Sequence, residues 1–191
     1  MNVQLQHAID AAVVSVWGKE ARVRQVVSLT GDASSRSYAR LFLEGAGPTT
    51  MVVMILSGSG LSVSSDELVV FTEPLKELPY MNVHRFLAPL GVRIPDVYYD
   101  GQKEGFLLLE DIGDVPLRDA AQGLPASDVE HLYRKAIDQL VLLQVEGTRR
   151  RDDVCIAFQQ SFDHRLFMWE FEHFIEWGLE KRERKPLPPT E

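Results

Sequence analysis

The side chains best suited to chemistry in this chain lie between residues 30 and 40, Thr-Gly-Asp-Ala-Ser-Ser-Arg-Ser-Tyr-Ala-Arg. Gly31, Asp32, Ala33, Ser34, Ser35 and Arg36 are small, polar or cationic, and strand-like apolar runs flank them on both sides. A tight loop of this composition can turn backbone N–H groups, hydroxyls and a guanidinium toward a phosphate. Read alone, the same residues also make an ordinary hairpin turn. A second candidate is Phe106-Leu-Leu-Leu-Glu-Asp-Ile-Gly-Asp114, an apolar run that ends in Glu110, Asp111 and Ile112. It reads either as a binding segment or as a strand end followed by a helix cap.

The remaining reactive groups give less. Cys155 is the one cysteine, so an internal disulfide is excluded and a reducing cytoplasm is expected. Its neighbours Val154 and Ile156 predict a small buried hydrophobe. The glycines Gly58 and Gly60 follow a strand, but the third glycine of a dinucleotide fingerprint is missing, so they read as a connector. Arg149, Arg150 and Arg151 read as a solvated cluster at a helix C-terminus.

These groups need a scaffold, and 191 residues suffice for one domain or two small lobes. The formal net charge of −8 argues against nucleic acid as a partner, because a phosphate backbone needs a basic surface. No apolar run approaches the roughly 20 residues of a membrane span, and no signal peptide is expected, since Asp10 interrupts the first apolar stretch.

Val3, His7, Asp10, Ala11 and Val14 recur at near-helical spacing and predict a helix over 3–17. Strands are expected at 25–30 and 37–44, then at 51–56, where a continuous apolar run fits a strand buried on both faces. Residues 57–66 read as a mobile loop. Val83, Phe86, Leu87 and Leu90 predict a helix over 80–90, with Gly91 as its cap. Two further strands, 97–99 and 106–110, surround a turn at 101–105. One helix on an antiparallel sheet accounts for this order. From residue 113 helices dominate. Ser127 and Glu130 read as a capping box for a long helix. A last helix spans 163–181, with Asp163 and His164 at its start and its aromatic residues expected in a core.

Leu29-Thr-Gly-Asp-Ala-Ser-Ser-Arg-Ser-Tyr-Ala-Arg40, Gly91-Val-Arg-Ile-Pro-Asp96 and Phe106-Leu-Leu-Leu-Glu-Asp-Ile-Gly-Asp114, in that order, resemble the aminoglycoside phosphotransferase family. Phe162, Asp163, Glu170, Phe174 and Trp177 extend the resemblance to its bacterial branch of kinases for N-acetylmuramate and N-acetylglucosamine. The resemblance implies an α+β, protein-kinase-like fold: a nucleotide-binding lobe and hinge in 1–112, and the start of a helical, substrate-side lobe in 113–191. It implies ATP or GTP with Mg²⁺ as cofactor and an amino sugar as acceptor. Ser34, Ser35 and Arg36 would lie nearest the phosphates, within the loop that also holds Gly31, Asp32 and Ala33. Met54 would contact the nucleotide from the third strand. Glu110, Asp111 and Ile112 would offer backbone groups to the base, and Glu170 or Trp177 would face the sugar.

Two departures qualify this resemblance. Kinases of this fold place a lysine on the third strand, paired with a glutamate on the next helix. Residues 51–56 contain no lysine and 80–90 no glutamate. The fold also needs a catalytic aspartate and Mg²⁺ ligands. None of the histidines at 7, 84, 131, 164 and 173 begins the His-x-Asp-x-x-x-x-Asn pattern that supplies them. In family order that loop is expected after residue 191. The 191 residues alone are therefore expected to bind nucleotide without turning over, or else to act as a non-catalytic binding or interaction module. An apolar face left bare would then need a partner or self-association.

Overall fold

A computed structural model describes residues 2–29, 36–56, 77–159 and 161–182. The connector carrying Gly58 and Gly60, and the loop residues Gly31, Asp32, Ala33, Ser34 and Ser35, lie outside the described residues. The first helix, α1, runs Val3–Trp17 and is followed by strands β1 (Arg22–Leu29), β2 (Ser37–Glu44) and β3 (Thr50–Ile55). Helix α2 (Pro79–Leu87) runs on into a single 3₁₀ turn, and β4 (Val97–Gly101) and β5 (Phe106–Glu110) complete the sheet. Then come α3 (Leu117–Ala120), α4 (Ala126–Arg149) and α5 (His164–His173).

The chain is thus α+β, with a five-stranded sheet in the order β1-β2-β3-β5-β4 and every neighbouring pair antiparallel. β3 lies at its centre, where a continuous apolar run is needed because both faces are covered. Met51 and Val53 pack with Leu41, Phe106 and Leu108 against Ile9 and Val13 of α1. Met54 points the other way, into a second cluster with Leu78, Leu107 and Leu109. Tyr80 and Met81, from the start of α2, close over that cluster. Helices therefore cover both faces of the sheet, where the sequence suggested one. The edge strand β1 is irregular between Val23 and Gln25 and exposes Arg22 and Arg24, features that oppose edge-to-edge pairing.

Asn2 caps α1 by accepting the Leu5 N–H at 2.8 Å. Its buried stripe is Ile9, Ala12 and Val13, rotated from the Val3–Asp10–Val14 face that the spacing suggested; Val3 is exposed. The i, i+3, i+4 set of purely apolar side chains wins the core, because burying Asp10 would require a partner. Gly91 ends the α2 segment at φ 78°, the left-handed cap expected for it.

Two further expectations are corrected. Ser127 and Glu130 form no capping box: Pro125 is the N-cap residue and α4 begins at Ala126. Ser127 is then already helical, inside the first turn, where a hydroxyl cannot cap. The aromatic helix is not core. Phe167, Phe171, Phe174 and Trp177 are each half exposed or more. Phe162, just before the helix, meets Phe167 with tilted rings at 5.1 Å, and Trp169 stacks on His173 one turn on at 4.8 Å. From Phe174 to Lys181 the helix widens to the π form, with Gly178 so close to Phe174 that a Cβ would lie 2.8 Å from the ring. Asp163 caps α5 as expected, accepting the Leu166 N–H at 2.9 Å. Cys155 is buried, as expected.

Candidate functional site

Strand alternation puts Tyr38 and Arg40 of β2, Val52 and Met54 of β3, and Leu107 and Leu109 of β5 on the sheet face opposite α1. Asp111 continues the same alternation just past β5. The site is built around this face and the segment 110–114, a tether that leads from the sheet into the helices.

Arg40 reaches across β3 to that tether. Its Nε donates to Asp111 Oδ2 at 2.6 Å and its Nη2 to Asp111 Oδ1 at 3.0 Å. Its Nη1 donates to Asp114 Oδ2 at 2.5 Å and Nη2 to Asp114 Oδ1 at 2.8 Å. One guanidinium thus clamps two carboxylates. Asp111 is held below the usual aspartate range chiefly by Arg40, helped by the Gly113 N–H and the Thr50 hydroxyl against the cost of burial. Asp114 is lowered by the same arginine, and the two aspartates raise Arg40 further above its ordinary value.

Glu110 is also engaged. Its carboxylate accepts from Arg93 and from the Asp96 backbone N–H at 3.2 Å, and both hydrogen bonds lower its pKa, Arg93 the more. The acidic side chains of the tether are therefore turned into ion pairs with the protein. Ile112, between them, is exposed. Gly113, next to it, is exposed as well.

Arg36 stands at the start of β2, on the wall of a cavity of about 340 Å³ shared with Tyr80, Val83, Leu87 and Ile94. His84 also lines it, with its Nε2 hydrogen-bonded to the Pro95 carbonyl at 2.9 Å and its ring stacked on Tyr80. Desolvation raises the Tyr80 pKa. Met54 is fully buried in the cluster that Tyr80 packs against and does not itself line this cavity. Glu77, just before α2, pairs with Arg85 and Asn82.

Arg36, Met54, Glu110, Asp111 and Ile112 belong to the sheet and its tether. Glu170 and Trp177 stand apart from them on the last helix, whose substantial packing is with its own continuation. Trp177 is exposed, with Lys181 Nζ 3.5 Å from its ring centroid. Glu170 is also exposed. Among the described residues, no three His, Cys, Asp or Glu side chains converge as a metal site. Sequence reasoning assigned no role to Arg40, Asp114, Arg93 or Asn82. For Arg40 a signal existed: it is a charge on the inward alternation of a strand, beside Tyr38 and Phe42, and such a charge needs a buried partner.

The chain is similar to the N-acetylmuramate/N-acetylglucosamine kinase of Pseudomonas aeruginosa, with 26% identity over 169 residues. The match covers 87% of this chain and 41% of that protein, so the chain spans about two-fifths of the length of the curated relative it matches. No family model and no solved structure matches the chain. The similarity supports a relationship to sugar kinases.

Proposed function

We propose that these residues are the nucleotide-side portion of a small-molecule phosphotransferase that moves the γ-phosphate of ATP or GTP to a hydroxyl of an amino sugar such as N-acetylmuramate or N-acetylglucosamine. The observation that carries this reading is a single similarity to a sugar kinase running through sheet, tether and helices alike. The architecture supports it: an antiparallel sheet with a helix between its third and fourth strands, followed by a tether and then helices. In this reading 1–112 is the nucleotide lobe of an aminoglycoside phosphotransferase-like, protein-kinase-like fold, and 113–191 begins the substrate lobe.

The groups present fit a nucleotide in three places. Backbone groups of the exposed residue Ile112 would meet the base, Met54 and its apolar neighbours would underlie it, and Arg36 with Ser34 and Ser35 would meet the phosphates. Bound Mg²⁺ would neutralise phosphate charge; Asp111 and Asp114 are committed to Arg40, so its ligands would come from elsewhere. Glu170 and Trp177 would wall the sugar pocket. No lysine contributes from β3, so phosphate affinity falls on residues 30–36, where Arg36 is the one cationic side chain. Titration of the chain with MgATP and MgGTP tests this reading. Saturable binding of at least one is expected, with Arg36→Ala weakening it about tenfold, the value of one charge-assisted contact. A folded chain that binds neither would overturn the proposal. Phosphorylation of either amino sugar by these 191 residues alone would overturn the expectation that acceptor activation lies outside them.

A further inference from the structure

We propose that Arg40 is a positioning residue: by clamping Asp111 and Asp114 to β2, it fixes the tether against the strand that has Arg36 at its entrance, and so sets where the base site lies relative to Arg36. The inference rests on the nucleotide reading of that tether. Arg40 itself is not a phosphate ligand. A guanidinium has five N–H groups, and four of them are used by the two carboxylates at 2.5 to 3.0 Å. The Arg40 side chain is 15% exposed and that of Asp111 only 6%, so the first pair is shielded from solvent, whereas Asp114 is 67% exposed.

The clamp continues into the backbone. Asp111 Oδ1 also accepts the Gly113 N–H at 3.0 Å, and Gly113 adopts φ 82°. The Arg40–Asp111 pair thereby holds the turn that follows Ile112, and the exposed residue Ile112 lies between two fixed points: the Glu110–Arg93 pair on one side and the Asp111–Gly113 turn on the other. β2 holds Arg36 at its entrance and Arg40 four residues on. A rigid strand therefore connects the cation that would meet phosphate to the cation that locates the base site. Pre-organisation of this kind improves binding without adding a contact.

The consequence separates Arg40 from Arg36. Loss of Arg40 loosens the base site, so nucleoside affinity falls and triphosphate affinity falls at least as much. Loss of Arg36 lowers affinity for the triphosphate alone. The test uses Arg40→Met, Arg40→Lys and Arg36→Ala, each titrated with adenosine, guanosine, MgATP and MgGTP, with amide hydrogen exchange read over 110–114.

For Arg40→Met, exchange at Gly113 is expected to rise at least about tenfold while β3 and β5 stay protected, with nucleoside and triphosphate affinities both falling about tenfold. Arg40→Lys keeps the charge but cannot grip two carboxylates in parallel pairs, so it recovers only part of both effects. Unchanged exchange at Gly113 in folded Arg40→Met overturns the clamp whatever nucleotide does. An opened tether with unchanged nucleoside affinity overturns the positioning role. A wild-type chain that binds no nucleoside overturns the affinity claim together with the reading beneath it, and exchange still decides the clamp. Should Arg40→Met fail to fold, Asp114→Asn removes the exposed half of the clamp and is expected to give the same pattern at smaller amplitude; no change at Gly113 in that variant counts against the proposal.

Discussion

Asp111 gains its charge-stabilising partners only in the folded chain, so stability must depend on its protonation. Its folded pKa lies below the ordinary aspartate value of about 3.9. The stabilisation is therefore complete above that value and is lost as pH falls through the lower folded pKa. Asp111→Asn is expected to cost about 1–3 kcal/mol near neutral pH, because Arg40 is left with one carboxylate fewer. The cost shrinks below about pH 4, and thermal unfolding of both proteins across that range would show it. A difference independent of pH would contradict the pairing. Gly45 offers a second residue-scale test. It sits at φ 88°, and a Cβ there would lie 1.9 Å from the Glu20 carbonyl oxygen. Gly45→Ala is expected to lose more than about 1 kcal/mol in urea unfolding, from strain and displaced backbone together; an unchanged midpoint would refute the close approach.

At the scale of elements, one side chain joins α2 to the segment after α4. Asn82 is buried. Its Nδ2 donates to the Val154 carbonyl at 3.1 Å and its Oδ1 accepts the Ile156 N–H at 2.9 Å, flanking buried Cys155. Asn82→Ala leaves that backbone unpartnered, at an expected cost of about 2 kcal/mol and with faster proteolysis near 150–158. Undiminished resistance would show that the segment is held otherwise. The element borders were largely legible in the sequence. The strand runs 37–44, 51–56 and 106–110 are apolar and bounded by Gly, Pro or polar turns, and Gly91 and Asp163 are caps by chemistry alone. The faces were less legible. The stripe of α1 and the aromatic row of α5 both follow helical periodicity, and periodicity does not say which neighbour, if any, covers a row. The clamp at the candidate site was hidden for a related reason: Arg40 and Asp111 lie 71 residues apart, and only the register of β2, β3 and β5 brings them together.

For the molecule as a whole, two surface properties compete. α4 exposes Tyr133, Ile137, Leu140 and Val141, and the last helix adds Phe171, Phe174 and Trp177. Apolar area on that scale favours association, while a net charge of −8 opposes it. Self-association of the 191-residue chain is expected to grow with concentration and with salt, since salt screens the repulsion. Sedimentation velocity should show it, and Ile137→Glu with Leu140→Glu should restore a monomer. A chain that stays monomeric at high salt and high concentration would remove that face from consideration.

The central claim is that a nucleotide lies between Arg36, at the entrance of β2, and the 110–114 tether. Hydrogen exchange with and without saturating MgATP or MgGTP tests it directly. The account predicts slowed exchange confined to peptides spanning 29–38 and 106–114, with the last helix unchanged. Binding that protects neither segment, or protection only on α4 and α5, would contradict it.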